Sequence, residues 1–165
     1  MKKILEILKE NLYFIIILIF CTIFIFNFRI IRINGNSMDT TLSNKEIHLA
    51  KLTNEINRND IIVANSSLLE CIVIKRVIAI PGDTIEIKNN IVYLNGEILE
   101  ETYLNEDMIT PDIKPYELKE NEYFVMGDNR GDSLDSRIIG PIDKDDIMGN
   151  SEFIIFPFTR FGNAK

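Results

Sequence analysis

Three stretches of the chain carry side chains that could do chemistry together. The first is Ile33-Asn34-Gly35-Asn36-Ser37-Met38, where a short polar turn can present a serine hydroxyl. The second runs from Cys71 to Ile80 and is apolar except for Lys75 and Arg76. The third, Gly127 to Arg137, is a dense loop of small, acidic and basic groups behind a strand pattern. A serine hydroxyl is a weak nucleophile until a base takes its proton. Lysine can serve only if its pKa falls from ~10.4 toward the working pH, and burial in an apolar strand drives it that way. Side chains alternate along a strand, so Cys71, Val73, Lys75, Val77 and Ala79 share one face, and Ile72, Ile74, Arg76, Ile78 and Ile80 the other. Ser37 and Lys75 are therefore a candidate nucleophile and base. Asp128, Asn129, Asp135 and Arg137 would tie the loop down, and Ser133 or Ser136 could aim a hydroxyl at Lys75.

Other chemistries find less support. The only histidine, His48, lacks a Cys or His companion at ligand spacing, so no metal is expected. Asp128 opens no calcium loop, because Arg130 stands where the pattern D-x-[DN]-x-[DN]-G needs an oxygen ligand. Cys21 and Cys71 are far apart and suggest no disulfide framework. A net charge of −7 leaves no basic face for phosphates, so no nucleic acid is expected as partner. The 165 residues suffice for one modest domain and an anchor.

Two kinds of element must position these groups. Leu12 to Phe28 (LYFIIILIFCTIFIFNF) is almost wholly apolar. About seventeen residues at ~1.5 Å each give roughly 26 Å of helix, the short end of a membrane span. Lys2, Lys3 and Lys9 precede it, Arg29 and Arg32 follow it, and no small-x-small cleavage site comes after it. The reading is a cytoplasmic N-terminus (1–11), a retained single-pass anchor (12–28) and an extracytoplasmic β-rich domain (29–165) in the cell membrane. Strands are predicted at 46–52, 60–64, 70–81, 84–88, 91–94, 97–99, 122–126 and 151–156, with hairpin turns at Asn89-Asn90 and Asn95-Gly96. Residues 100–121 are polar, contain Pro111 and Pro115, and read as an excursion or small subdomain outside the core. The C-terminal Phe153-Ile154-Ile155-Phe156-Pro157-Phe158, with Phe161, reads as core or edge strand, or as an apolar lip on the bilayer.

In that order and spacing, the three stretches resemble the type I signal peptidases, membrane-anchored Ser-Lys proteases, and most closely their Gram-positive bacterial branch. The nucleophile box is matched by Gly35-x-Ser37-Met38-x-x-Thr41-Leu42 and the lysine box by Lys75 to Asp83. The last box is matched by Gly127-Asp128-Asn129-Arg130-x-x-Ser133-x-Asp135-Ser136-Arg137. The resemblance implies an all-β, barrel-like catalytic domain that removes signal peptides from exported preproteins through an acyl-enzyme, without a cofactor. Its partners would be those signal peptides and membrane lipid. It implies Ser37 as nucleophile, Lys75 as base, Ser133 as the hydroxyl orienting the amine, and Asp135 with Arg137 as a supporting ion pair. Ile33, Met38 and Ile74 would line shallow pockets for small side chains. Alternatives are a specialised processing peptidase of the same fold and an inactive anchored β-module. The chain departs from the family pattern at Thr40, where proline is usual; at Gly35, where some members carry a second oxyanion donor; and at Asn59-Asp60, where Gly-Asp is common.

Overall fold

The computed structural model describes residues 9, 11–39, 41–104 and 108–164. Lys2 and Lys3, which precede the apolar run, and Thr40, the departure from the family's proline, lie outside the described residues. Helix α1 (Leu12–Asn27) has no buried residue and is apolar all round. The expected anchor reached Phe28, but that residue already has extended φ/ψ and opens strand β1 (Phe28–Arg32). No described helix is long and apolar enough to cross a membrane.

Two antiparallel sheets follow. The larger has the order β1-β2-β11-β3-β4-β9-β10, with β2 at Ile47–Lys51, β3 at Ile61–Ser66, β4 at Cys71–Ala79, β9 at Glu122–Met126, β10 at Ile142–Asp143 and β11 at Ile147–Phe156. A short β12 (Gly162–Asn163) pairs with β11. The smaller sheet has the order β7-β6-β5-β8, from β5 (Thr84–Lys88), β6 (Ile91–Leu94), β7 (Glu97–Ile98) and β8 (Ile113–Glu117). Its hairpins form where asparagine signalled them: Asn89, Asn90, Asn95 and Gly96 all take positive φ.

Strand β8 corrects the reading of 100–121 as lying outside the core. It pairs with β5, and Leu118 just after it is buried among Ile78, Ile85, Phe124 and Met126 between the sheets. A second cluster (Ile62, Val73, Val77, Val125, Ile147) fills the larger sheet's other side. Strict alternation along β4 also breaks near its end. A register shift between Val77 and Ala79 sends Ala79 to the same cluster as Ile78. Upstream of that bulge the alternation holds, which sends Lys75 and Arg76 to opposite faces.

Candidate active site

The turn bearing Ser37 leaves β1 and is pinned from below. Met38 and Leu42 are fully buried with Ile33, Ile61 and Ile154, while Ser37 between them stays half-exposed. Backbone bonds from Leu42 N–H to Met38 O (2.8 Å) and from Asp39 N–H to Asn36 O (2.9 Å) tighten it. The apolar anchors thus hold the backbone and leave the hydroxyl accessible.

Lys75 reaches that hydroxyl from β4. Its Nζ lies 2.7 Å from Ser37 Oγ and 3.1 Å from Ile74 O, with the residue only 5% exposed. Burial lowers its pKa and Arg137 adds to the fall, while Asp135, Cys71 and Asp128 oppose it. A buried amine that makes its hydrogen bond to a hydroxyl and, among the described residues, has no carboxylate ion pair is poised to be neutral.

The loop after β9 supplies the third wall. Asn129 N–H donates to Ser37 O (3.0 Å) and Asn129 Nδ2 to Asn36 O (3.1 Å), so the loop grips the nucleophile's backbone. Asp135 accepts from Gly127 N–H and from Arg137 through Nε and Nη2, both at 2.7 Å. Burial alone would raise the Asp135 carboxyl, but Arg137 and the Gly127 N–H hold it below the usual range. Ser133 Oγ is buried beside these groups with no hydrogen-bond partner among the described residues, so the expected contact with Lys75 is not made; its nearness helps hold the Asp135 carboxyl down. Of the two serines proposed to face Lys75, Ser136 is committed elsewhere, accepting from Val125 N–H.

Gly127 marks how tightly the walls meet. A Cβ there would overlap Ser133 Oγ and the carbonyl oxygen of Ser37. Gly127→Ala is therefore expected to cut activity at least ~10-fold while the chain stays folded, read by cleavage assay beside circular dichroism. Gly35 explains a departure from the family pattern. Its φ of +103° strains any L side chain, so a serine hydroxyl is not accommodated there without moving the turn. At the Asn59-Asp60 departure, Asn59 has φ +70°, a conformation asparagine tolerates nearly as glycine does.

Beneath the pair lies a buried hub. Arg76 Nε and Nη2 chelate Asp128 at 2.8 and 2.7 Å, while Nη1 donates to Asn59 O and Nη2 to Thr41 Oγ1. Sequence alternation gave Arg76's face but not these partners, which lie 17, 35 and 52 residues away. His48 is no rival base. Its nitrogens engage Ser151 (2.9 Å) and Glu46 (3.0 Å), and Arg160 also bonds to Glu46. That Ser-His-Glu set copies a hydrolase triad in composition, yet all three residues are buried, and Ser151 on β11 borders a smaller cavity separate from the Ser37 cleft.

An open cavity of about 630 Å³ leads to the pair, lined by residues 30–38 and 71–75 with Leu69, Asp132 and Leu134. Ile33, Met38 and Ile74 are among its walls, so the structure brings the expected pocket residues to one cleft.

A family model described as signal peptidase, peptidase S26, matches residues 4–156. The chain belongs to the signal peptidase family. It is 39% identical to signal peptidase I P of Bacillus subtilis subsp. natto over 81% of this chain and 79% of the relative. It is 37% identical to signal peptidase I S of Bacillus subtilis strain 168 over 96% of this chain and 92% of the relative. The crystal structure of a signal peptidase I from Enterococcus faecalis matches with a TM-score of 0.53 and 31% identity, covering 58% of this chain and 96% of that one. Serine endopeptidase chemistry is the activity of this family.

Proposed function

We propose that this signal peptidase family member cleaves signal peptides from exported preproteins with Ser37 as nucleophile and Lys75 as general base. The observation that carries the reading is the 2.7 Å approach of a buried lysine amine to a half-exposed serine hydroxyl at the end of a cleft. In acylation, Ser37 Oγ attacks the scissile carbonyl carbon and its proton passes to neutral Lys75 Nζ. The tetrahedral intermediate collapses as the C–N bond breaks, and the proton goes to the departing amine of the mature N-terminus. Water, activated by the same amine, then hydrolyses the Ser37 ester. The Ser37 N–H stabilises the oxyanion, Ser37 Oγ and Ile74 O orient the lysine amine, and the Asp135–Arg137 pair fixes the loop that carries Ser133. Ile33, Met38 and Ile74 select small side chains, and an extended substrate pairs with the backbone at 32–36 and 72–75.

A membrane anchor suits this role. Helix α1 exposes apolar side chains on every face and runs directly into β1, which borders the cleft. Phe156, Phe158 and Phe161 are exposed as well and would extend that apolar surface onto lipid. The N-terminus would be cytoplasmic and the catalytic domain extracytoplasmic.

The test is cleavage of a preprotein by the detergent-solubilised chain beside Ser37→Ala, and full activity in that variant would refute the reading. The pH dependence follows from Lys75. The base works only when neutral, so kcat/KM climbs as pH rises through its folded pKa, at a pH below the ordinary lysine range because burial lowers it. Stability has the same sign. Between the lowered and the ordinary value the unfolded chain binds the extra proton, so stability also rises with pH. A limb in the ordinary lysine range would contradict this assignment.

A further inference from the structure

We propose that Glu101 and Tyr103 are positioning residues for the reaction. The segment after β7 acts as a strap that locks Arg76 and Arg130 and, through them, the Ser37 turn and the 127–135 loop. The inference rests on the Ser37–Lys75 reading.

The geometry is specific. Arg76 spends its in-plane donors on Asp128, Asn59 O and Thr41, which leaves one face of the guanidinium to cover. The Tyr103 ring covers it, with its centroid 4.0 Å from Arg76 Cζ. Tyr103 then donates its hydroxyl to Glu101 (2.8 Å). Glu101 in turn receives both terminal nitrogens of Arg130, whose side chain is completely buried. Arg130 Nε donates to Gly127 O (3.2 Å), the glycine pressed between Ser37 O and Ser133 Oγ. A continuous chain of contacts therefore runs from Arg76, beside the base, over the strap to Gly127, beside the nucleophile. Buried ion pairs often add little net stability compared with apolar packing, so fixed geometry is the better account of this one. Neither Glu101 nor Tyr103 lines the cleft, so the strap acts on the catalytic groups and not on substrate.

The test compares the full chain in detergent with Glu101→Gln, Tyr103→Phe, Tyr103→Leu and, as control, Ser37→Ala. Each is assayed for preprotein cleavage across pH and for folding by circular dichroism. Glu101→Gln and Tyr103→Leu are expected to lower kcat about 10-fold with KM within about twofold. They should also move the acid limb to higher pH. The charges acting on Lys75 are those of Asp135, Cys71, Arg137 and Asp128, and a loosened Arg76 neutralises Asp128 less well. Tyr103→Phe keeps the ring over Arg76 and should retain most of the activity. Unchanged kcat and an unmoved limb in Glu101→Gln and Tyr103→Leu would overturn the strap. So would a loss that only tracks the folded fraction while the limb stays fixed. A cleaving Ser37→Ala would remove the dyad itself, and the strap with it, which separates the two failures.

Discussion

Lys75→Met should cleave preprotein about 10³-fold more slowly than the unaltered chain, or worse, and should still fold. Methionine keeps the unbranched reach of lysine through an apolar strand but brings no base, so packing on β4 survives while Ser37 loses its proton acceptor. The fold should tolerate the change because, among the described residues, Lys75 has no carboxylate ion pair and its amine bonds only to Ser37 Oγ and Ile74 O. The effect should fall on kcat, since the amine acts in the transition state and the cleft walls remain. Rates from single-turnover cleavage, with folding followed by circular dichroism, check it. Activity within about tenfold of the starting enzyme would mean that another group takes the proton.

The second large effect is on stability. Arg76→Met should lower stability by about 3–5 kcal/mol, because it strands Asp128 as a buried, uncompensated carboxylate. At about 2–4 °C per kcal/mol for a domain of this size, the fall in Tm is on the order of 10 °C. Arg76→Met combined with Asp128→Leu removes the stranded charge and should recover much of that loss, but not the activity, since Thr41 and Asn59 stay untied. A Tm unchanged in the single variant would show the pair to be hydrated in solution.

The proposed pair, Ser37 and Lys75, was legible less from local rules, since polar turns and apolar strands are common, than from three family motifs standing in order along the chain. The meander was legible locally, since Asn-Asn and Asn-Gly turns fix short hairpins. Strand β8 was hidden because Pro115 lies within it, and a proline argues against a central strand. β8 lies at the edge of its sheet, where a missing N–H costs little. The bulge at Val77–Ala79 left no mark in a run where both faces are apolar. Glu101 and Tyr103 were invisible for a different reason. Their partners Arg130 and Arg76 lie 29 and 27 residues away, and a charged residue in a polar stretch reads as solvated until its partner is known.

The proposed reaction turns on one amine, and NMR can watch it titrate. Lysine labelled at Cε, assigned by comparison with Lys75→Met, reports each ammonium in the solubilised chain as pH is raised. The account predicts that the Lys75 signal changes at a pH clearly below that of the exposed lysines in the same spectrum, and that kcat/KM rises with the same midpoint. A Lys75 signal that titrates together with the exposed lysines would contradict it.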